Sequence, residues 1–265
     1  MIKLITIDMD GTLLKNNKEL PKENIEAIEY AKSMGATVVL ATGRPLKGVY
    51  RYLEKLNMLD GYVILYNGAI VYDIKNDKII YSAFINGKTV KEIYKEANRL
   101  GLFFHAFRSN EELIVPVFNQ YSLVEVKINQ IAYKLFDINN IKDSDEFLKC
   151  MIVDESNNLD NAEKVINNDI KDNYSILRSS PIFLEFLNKN ADKGSALEKL
   201  RDYLGIKSDE TMAIGDAGND IPMIKKAHIG VAMKNAFPYV LPYADYITDE
   251  NEDCGVAKAI YKFVK

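Results

Sequence analysis

The chain has few of the residues that build the commonest metal and disulfide frameworks. Its 265 residues include only two histidines, His105 and His228, so a multi-histidine zinc site is excluded by count. The two cysteines, Cys150 and Cys254, lie far apart in sequence and give neither a disulfide framework nor a metal-type spacing. This cysteine usage is typical of a reducing compartment, and we expect a cytoplasmic location.

The sequence also lacks long apolar runs and an excess of positive charge. The longest apolar stretches, such as 62–66, have the length of a strand and are too short to span a membrane. Asp8 and Asp10 lie where a signal peptide would carry its apolar run. A net charge of −4 does not favour binding to a nucleic acid, which would require a basic face. We therefore expect a soluble globular protein with neither a membrane nor a nucleic acid as partner.

Continuous apolar segments of strand length alternate with amphipathic segments of helix length at both ends of the chain. This alternation predicts an α/β fold, with a Rossmann-like parallel sheet as the core and helices on both faces. The predicted strands cover 2–7, 36–41, 62–66, 211–214, 229–232 and 246–248. The predicted helices cover 21–34, 45–56, 193–204, 221–227 and 255–264, with a helical turn at 237–242.

The middle of the chain has a different pattern, which predicts an inserted α+β cap domain. After a hairpin of 69–73 and 78–84, the pattern predicts helices at 89–100 and 158–170 and strands at 102–107, 112–117, 149–153, 174–178 and 183–187. We therefore expect a catalytic core domain of residues 1–83 and 188–265. The cap domain of residues 84–187 would control substrate specificity.

The most informative segment is a short apolar strand that runs into two carboxylates, Ile5-Thr6-Ile7-Asp8-Met9-Asp10-Gly11-Thr12. Since successive residues of an extended segment point to opposite sides, Asp8 and Asp10 should point the same way beyond the strand. Two close carboxylates raise each other's pKa unless a cation lies between them, so this pair indicates a magnesium-type site. Taken alone, the segment also fits a capping carboxylate followed by a turn aspartate.

Further polar residues follow two other predicted strands and open one helix. They are Thr42 and Gly43, then Lys193, then Asp216 with Asn219 and Asp220. Because the carboxyl ends of parallel strands meet at one edge of a sheet, the strand-end clusters should converge there with Asp8 and Asp10. Carboxylates hold a divalent cation, whereas a lysine, a hydroxyl and backbone N–H groups suit a phosphoryl group.

These residues indicate phosphoryl transfer without a histidine base. Asp8 is the candidate nucleophile, which would attack phosphorus and form an aspartyl-phosphate. Asp10 would give a proton to the leaving oxygen and then take one from water. Lys193 and Thr42 would hold the transferring oxygens, while the metal offsets their charge.

The chain resembles the haloacid dehalogenase superfamily. The four motifs of that superfamily occur here in order: Asp8-Met9-Asp10-Gly11-Thr12, Thr42-Gly43-Arg44, Lys193-Gly194 and Gly215-Asp216-Ala217-Gly218-Asn219-Asp220. The likeness is closest to the Cof-type sugar-phosphate phosphatases, whose cap is inserted between the second and third motifs. Dehalogenases and P-type ATPases lack an acid at the position of Asp10, so the resemblance favours a phosphatase.

The resemblance also implies a role for each site residue. Asp8 would be the nucleophile and Asp10 the acid and base. Mg²⁺ would be bound by the Asp8 carboxylate, the Asp10 backbone carbonyl and Asp216, with Asp220 behind these ligands. The groups that bind the phosphate would be Thr42, Gly43, Lys193 and Asn219.

The sequence leaves the substrate and the reaction partly open. Small sugar phosphates are the leading substrate class, and nucleotide or pyridoxal phosphates are alternatives. A phosphomutase would use the same chemical groups, and a non-catalytic phosphometabolite-binding protein would keep the fold. Asn67-Gly68 fits either a tight turn or a functional loop, and His105 and Arg108 are weaker candidates for substrate contact. The sequence fits a monomer and a homodimer equally well.

Overall fold

The computed structural model describes residues 1–265. The first elements are β1 (Leu4–Ile7), α1 (Lys22–Ser33), β2 (Thr37–Ala41), α2 (Leu46–Lys55), β3 (Tyr62–Leu65), β4 (Ile70–Asp73) and β5 (Lys78–Ser82). The middle of the chain forms β6 (Ile85–Asn86), α3 (Gly87–Leu100), β7 (Phe103–Arg108), β8 (Leu113–Val115), α4 (Gln120–Asn129), β9 (Tyr133–Leu135), β10 (Glu146–Val153), α5 (Ser156–Val165), α6 (Asn168–Asn173), β11 (Tyr174–Ser180) and β12 (Phe183–Asn188). The last elements are α7 (Lys193–Tyr203), β13 (Thr211–Gly215), α8 (Ile221–Lys226), β14 (Ile229–Ala232), β15 (Tyr246–Ile247) and α9 (Gly255–Phe263).

These elements belong to two compact units. The core unit comprises residues 1–43, 49–82 and 192–265, and the inserted unit comprises residues 44–48 and 83–191. None of the helices has the length and apolar character that a membrane span requires.

The core unit is built on one eight-stranded sheet. The strand order is β15-β14-β13-β1-β2-β3-β4-β5, with all neighbours parallel from β15 to β3 and the β4–β5 hairpin antiparallel at one edge. In the central strands Ile7 pairs with Ile214 on one side and with Leu40 on the other. The ends of β1, β2 and β13 are therefore level, as the α/β interpretation of the sequence predicts.

Helices cover both faces of this sheet. On one face, Leu4 and Val39 join the buried cluster that α7 completes with Leu197 and Leu200. The intervening strand residues, such as Ile5, point to the opposite face, where α1 packs against β2 and α9. The fully buried strands explain why their sequences are continuously apolar rather than alternating.

The inserted unit contains a second, mainly antiparallel sheet. Its strand order is β11-β12-β10-β7-β8-β9, and β6 pairs with β10 at one end. One face of this sheet carries an apolar cluster made with α3, α5 and α6. The observed architecture confirms the predicted fold class, a parallel-sheet core with an inserted α+β domain.

Two local predictions differ from the structure, and two observed elements are not predicted. The helix predicted at 158–170 is two helices, α5 and α6, because the side chain of Asn167 accepts a hydrogen bond from Asp169 N–H and starts a new helix. The helical turn predicted at 237–242 lies instead at Leu241–Tyr243. Neither α4 nor β9 is predicted by the sequence pattern.

Candidate active site

The carboxyl ends of three adjacent strands place polar side chains at one edge of the core sheet. Asp8 follows β1, Thr42 follows β2, and Asp216 follows β13. The parallel pairing of β1 with β2 and β13 holds these ends level, so the convergence expected from the sequence is present.

A buried lysine joins two of the predicted carboxylates. Lys193, the first residue of α7, is fully buried and donates hydrogen bonds from Nζ to Asp8 Oδ1 at 2.5 Å and to Asp220 Oδ1 at 2.7 Å. Asp192 caps α7 by accepting a hydrogen bond from Ser195 N–H at 2.8 Å, which fixes the start of the helix and thus the position of Lys193. Lys193 is held at the site by charge on both sides.

Asp220 also organises the loop that follows β13. Its Oδ2 accepts hydrogen bonds from the backbone N–H groups of Asp216 and Ala217, both at 2.9 Å. A Cβ on Gly215 would clash with the Cβ of Asp220, so this close approach requires glycine. Both carboxylate oxygens of Asp220 are thereby engaged within the protein.

Asp216 is positioned by the turn that follows Asp10. Thr12 Oγ1 donates a hydrogen bond to Asp216 Oδ1 at 2.6 Å in the buried interior. Gly11 has a φ of +90°, and a Cβ there would lie 2.6 Å from Asp216 Oδ2. The Gly11-Thr12 turn thus makes room for the carboxylate and then binds it.

Asp10 has a different environment from Asp8, although both carboxylates leave the same strand. Asp8 is 6% exposed, whereas the side chain of Asp10 is 37% exposed and pairs with Lys18 Nζ at 2.7 Å. One carboxylate is therefore fixed against a buried ammonium, and the other faces solvent with a flexible partner.

A second loop connects the predicted phosphate-binding groups. Thr42 is buried, and its carbonyl accepts a hydrogen bond from Asn67 N–H at 2.9 Å. A Cβ on Gly43 would lie 3.1 Å from the amide group of Asn67. Asn67 itself has a φ of +56°, and its Oδ1 accepts a hydrogen bond from Asn219 Nδ2 at 2.9 Å. Thr42, Gly43 and Asn219 are brought together through Asn67.

Burial and like charge shift the titration of these groups. Burial, followed by repulsion from Asp220, raises the pKa of Asp8 well above its ordinary value, although Lys193 acts in the opposite direction. Burial also raises the pKa of Asp216 to about 6, against the hydrogen bond from Thr12. Burial lowers the pKa of Lys193 because it disfavours the charged form. The negative charges and hydrogen bonds of Asp220 and Asp8 outweigh this effect, so the pKa of Lys193 lies above its usual range. The cluster holds more negative charge than Lys193 alone offsets.

The same carboxylates fit a divalent cation. Asp8, Asp216 and Asp220 are buried, and one carboxylate oxygen from each lies within 4.8 Å of the others. Oxygen ligands of this kind suit a hard cation such as Mg²⁺, and its charge would offset the repulsion that raises the pKa of Asp8. The structure thus has a buried acidic group that can bind a metal.

Of two further contributors to the site, Thr12 has no role assigned by the sequence analysis, and Asn67 has its role left open between a turn and a functional loop. Thr12 lies within the first motif, and a hydroxyl directly after a turn glycine is the available signal for its contact with Asp216. Asn67 does adopt the left-handed backbone that an Asn-Gly turn allows, and it also binds Asn219. His105 and Arg108 lie in the inserted unit. There His105 Nε2 contacts Ser122 Oγ at 2.8 Å, and Arg108 pairs with Glu112 and Asp145.

The core unit thus has a parallel sheet with a buried lysine–carboxylate cluster at its carboxyl edge. A family model for haloacid dehalogenase-like hydrolases matches residues 5–260. The chain therefore belongs to the haloacid dehalogenase-like hydrolase family, as the four motifs predict.

Relatives narrow this class to phosphatases. The chain is 37% identical over 268 residues to YxeH of Bacillus subtilis (strain 168), which is described as a candidate phosphatase, with 100% of this chain and 99% of YxeH covered. It is 34% identical to the 5-amino-6-(5-phospho-D-ribitylamino)uracil phosphatase YcsE of the same organism, with 99% and 96% covered. The structure of the subclass IIB sugar phosphatase BT4131 superposes with a TM-score of 0.83 at 26% identity, covering 98% of both chains. The prediction of a phosphatase of this family, of the Cof type, is confirmed.

Proposed function

We propose that this protein is a magnesium-dependent phosphatase that hydrolyses small phosphomonoesters, foremost sugar phosphates, through an aspartyl-phosphate intermediate. One observation carries the proposal. The carboxylate of Asp8 is buried at the end of the central strand, 2.5 Å from the ammonium of Lys193 and beside Asp216 and Asp220. The carboxylate that we propose as the nucleophile thus lies beside a positive charge that can hold a phosphoryl group and beside oxygen atoms that can bind a cation.

In the first step, an oxygen of the Asp8 carboxylate attacks phosphorus, and the ester P–O bond breaks. Asp10 gives its proton to the leaving oxygen, so the alcohol departs neutral. In the second step, Asp10 takes a proton from water while the water oxygen attacks the same phosphorus. The bond between phosphorus and Asp8 then breaks, inorganic phosphate is released, and Asp10 is protonated again.

The phosphoryl oxygens need donors, which the proposed phosphate-binding residues provide. Lys193 supplies a fixed positive charge because it is buried between Asp8 and Asp220. Thr42 and Gly43 add a hydroxyl and a backbone N–H at the end of β2, and Asn219 adds an amide oriented by Asn67. These groups bind more strongly as charge builds up on the transferring group.

The proposed magnesium ligands are Asp8, Asp216 and the backbone carbonyl of Asp10. The bound cation would neutralise charge on the nucleophile and on the phosphoryl group. Asp220 would not contact the cation directly. It holds Lys193 and the backbone of residues 216–217 in place through hydrogen bonds.

The proposal of hydroxylated substrates draws on two relatives. BT4131 is named a sugar phosphatase, and YcsE is named for a substrate whose phosphate lies on a ribityl group. Both names describe a phosphate ester of a group that bears hydroxyls. We assign the choice among such substrates to the predicted cap domain, residues 84–187. We also propose a cytoplasmic location, since Cys150 and Cys254 are free thiols.

Phosphate release from a panel of sugar phosphates and other small phosphomonoesters tests this proposal. Each substrate is assayed with Mg²⁺ and with a chelator, for wild type, Asp8→Asn and the control Asp60→Asn. Asp60 is exposed and precedes β3, at the opposite end of that strand from the site. We expect release that requires Mg²⁺, persists in Asp60→Asn and is lost in Asp8→Asn.

Either of two results would contradict the proposal. Substantial phosphate release by folded Asp8→Asn would remove Asp8 as the nucleophile. Isomerisation of a sugar phosphate without net phosphate release would identify a mutase instead.

A further inference from the structure

The turn that follows β3 in the core unit packs against several of the proposed phosphate-binding groups. Tyr66, Asn67 and Gly68 all have positive φ values, of +51°, +56° and +98°. Asn67 N–H donates a hydrogen bond to the Thr42 carbonyl at 2.9 Å. A Cβ on Gly68 would lie 2.9 Å from the backbone nitrogen of Lys193, so the close approach requires glycine. The turn therefore lies between the end of β2 and the start of α7.

The backbone of this turn is strained. A left-handed conformation is unfavourable for a bulky aromatic residue such as Tyr66, which adopts it here. Strained residues of this kind persist only where the surrounding contacts hold them, and they cluster at functional sites. The turn is thus a place to look for a functional side chain, and Asn67 is its central residue.

The amide group of Asn67 is held by its oxygen and has its nitrogen available. Asn67 is only 4% exposed, and its Oδ1 accepts a hydrogen bond from Asn219 Nδ2 at 2.9 Å. Its Nδ2 donates no hydrogen bond within the protein and retains contact with solvent. Since an amide nitrogen carries two protons, Asn67 presents a fixed pair of unused donors.

These donors lie among groups that the proposed function assigns to the phosphate. A Cβ on Gly43 would lie 3.1 Å from Asn67 Nδ2. Asn219 binds the oxygen of the same amide group, so two proposed phosphate-binding residues flank it. A phosphoryl group offers several strong acceptor oxygens, and uncharged N–H donors bind them well when they are already fixed in place. Asn67 Nδ2 thus has the chemistry and the surroundings of a phosphate ligand.

Another asparagine of the core unit shows what a purely conformational role looks like. Asn57, between α2 and β3, has a φ of +51°, close to that of Asn67. Its side chain is exposed, and its backbone carbonyl accepts a hydrogen bond from Lys32 Nζ at 2.6 Å. Both positions use the tolerance of asparagine for a left-handed backbone. Of the two, only Asn67 is buried with its amide held in one orientation.

Building on the proposed function, we propose that Asn67 binds the substrate directly, with Nδ2 donating a hydrogen bond to an oxygen of the transferring phosphoryl group. Asn219 holds the amide of Asn67 in place and keeps its own second Nδ2 proton for the same phosphoryl group. The two amides act as a pair. Because their target is the phosphoryl group, Asn67 contributes to the binding of every phosphomonoester, whatever its alcohol.

Binding of inorganic phosphate tests this assignment without turnover. Calorimetry in the presence of Mg²⁺ measures the Kd for wild type, Asn67→Gly and the matched control Asn57→Gly. Glycine adopts the left-handed backbone at both positions, so each variant keeps its turn and loses only a side chain. We expect the Kd to rise roughly 10- to 100-fold in Asn67→Gly and to keep the wild-type value in Asn57→Gly. Equal Kd values for wild type and folded Asn67→Gly, or no phosphate binding by the wild type, would overturn the proposal.

Asn67→Asp is a second variant that keeps the bond to Asn219. Aspartate tolerates a left-handed backbone, and its Oδ1 can still accept from Asn219 Nδ2, but an ionised carboxylate has no proton to donate. We expect the phosphate Kd to rise at least as much as in Asn67→Gly. A wild-type Kd in this variant would show that Asn67 only holds Asn219 in place, and the proposal would fail.

A double-mutant cycle with Asn219→Ala distinguishes direct binding from an effect through Asn219. If Asn67 acted only by orienting Asn219, then Asn67→Gly would change nothing further once the amide of Asn219 is gone. We expect instead that Asn67→Gly raises the phosphate Kd by a further factor of roughly ten in the Asn219→Ala protein. No further rise would contradict direct binding by Asn67.

Phosphate release from two substrates separates this proposal from the proposed function. In Asn67→Gly we expect kcat/KM to fall by similar factors for a sugar phosphate and for 4-nitrophenyl phosphate, because the two share the phosphoryl group. A loss confined to one substrate would overturn the assignment of Asn67. Failure of the wild type to release phosphate would refute the proposed function, whereas an unchanged phosphate Kd in Asn67→Gly refutes the role of Asn67 alone.

Discussion

At the scale of single residues, environment gives two neighbouring carboxylates different chemistry. Asp8 and Asp10 both follow β1, yet Asp8 is bound to buried Lys193, whereas the side chain of Asp10 is 37% exposed beside Lys18. A fixed carboxylate is suited to attack, whereas a carboxyl group with access to water is suited to move protons in both directions. The fold thus distinguishes two side chains that are chemically identical.

Asp10→Asn tests the proton-transfer role directly. Asparagine keeps the size of the side chain but cannot donate a proton to the leaving oxygen. We expect kcat to fall by roughly 10²- to 10⁴-fold for an alkyl phosphate. The loss should be much smaller for 4-nitrophenyl phosphate, whose leaving group needs little protonation, when the first step is followed by burst kinetics.

Lys18→Met is the matched control for Asp10→Asn. It removes the ion-pair partner of Asp10 but leaves the acid itself. We expect both substrates to react at rates within a few fold of wild type, because an exposed ion pair contributes little. Equal losses for both leaving groups in Asp10→Asn would count against the assignment of Asp10 as general acid.

At the scale of elements, the turn after β1 supports the acidic cluster, because Gly11 and Thr12 both contact Asp216. Gly11→Ala would place a methyl group 2.6 Å from Asp216 Oδ2, at a φ of +90°. We expect a loss of roughly 2–4 kcal/mol in the free energy of unfolding, with a weaker affinity for Mg²⁺ because the carboxylate of Asp216 must move. Urea unfolding and magnesium titration of activity measure the two effects.

Gly35→Ala separates backbone strain from the displacement of Asp216. Gly35 has a nearly equal φ of +86°, but a Cβ there meets no atom within 4 Å. This variant should lose only the cost of a left-handed alanine, about 1–2 kcal/mol, and keep its magnesium dependence. If Gly11→Ala matched Gly35→Ala in both measurements, the close packing of Gly11 on Asp216 would have no functional consequence.

Elements whose sequence pattern agrees with their burial are predictable, and those whose pattern conflicts with it are not. Buried strands such as β1 and β13 are mainly apolar, and the pattern predicts their bounds within a few residues. Helix α4 instead exposes Leu123 and Ile128 and buries Glu125, so its apolar residues do not mark its inner face. No periodicity argument finds a helix of that kind.

Some features of the site can likewise be predicted from the sequence, whereas others depend on contacts that only the tertiary structure shows. Asp8, Thr42 and Asp216 can be placed together from the sequence because each follows a strand of one parallel sheet. The hydrogen bond between Asn67 and Asn219 cannot be predicted in this way. It joins two loops 152 positions apart and depends on the left-handed backbone of Asn67. The full burial of Lys193 between two carboxylates cannot be predicted from the sequence either, since lysine is ordinarily solvated.

At the scale of the whole molecule, the acidic cluster links stability to pH and, if the proposed site binds Mg²⁺, to the metal concentration. Burial raises the pKa of Asp216 from its ordinary value of 3.8 to about 6 in the folded protein. Between these values the folded state holds a proton that the unfolded state has lost, so stability falls as pH rises from about 4 to about 6. The full effect is on the order of 3 kcal/mol, and Asp8, whose pKa is also raised, acts in the same direction.

In the presence of a chelator, the stability that Asp216 contributes at pH 4.5 should therefore be lost at pH 7.5, and Mg²⁺ should restore stability there. A cation bound to the ionised carboxylates of the folded state would stabilise the protein above pH 6 and would lose this effect at pH 4.5, where protons compete. Urea unfolding at the two pH values, with chelator and with Mg²⁺, measures both effects.

Asp216→Asn is the matched control for this linkage. Asparagine can still accept the hydrogen bond from Thr12, but it stays neutral at both pH values. With chelator at pH 7.5 we expect this variant to be more stable than wild type, because no charge is buried at position 216. With Mg²⁺ the order should reverse, because the variant has lost a ligand. Identical responses of the two proteins to pH and to Mg²⁺ would show that Asp216 neither titrates near pH 6 nor binds the cation.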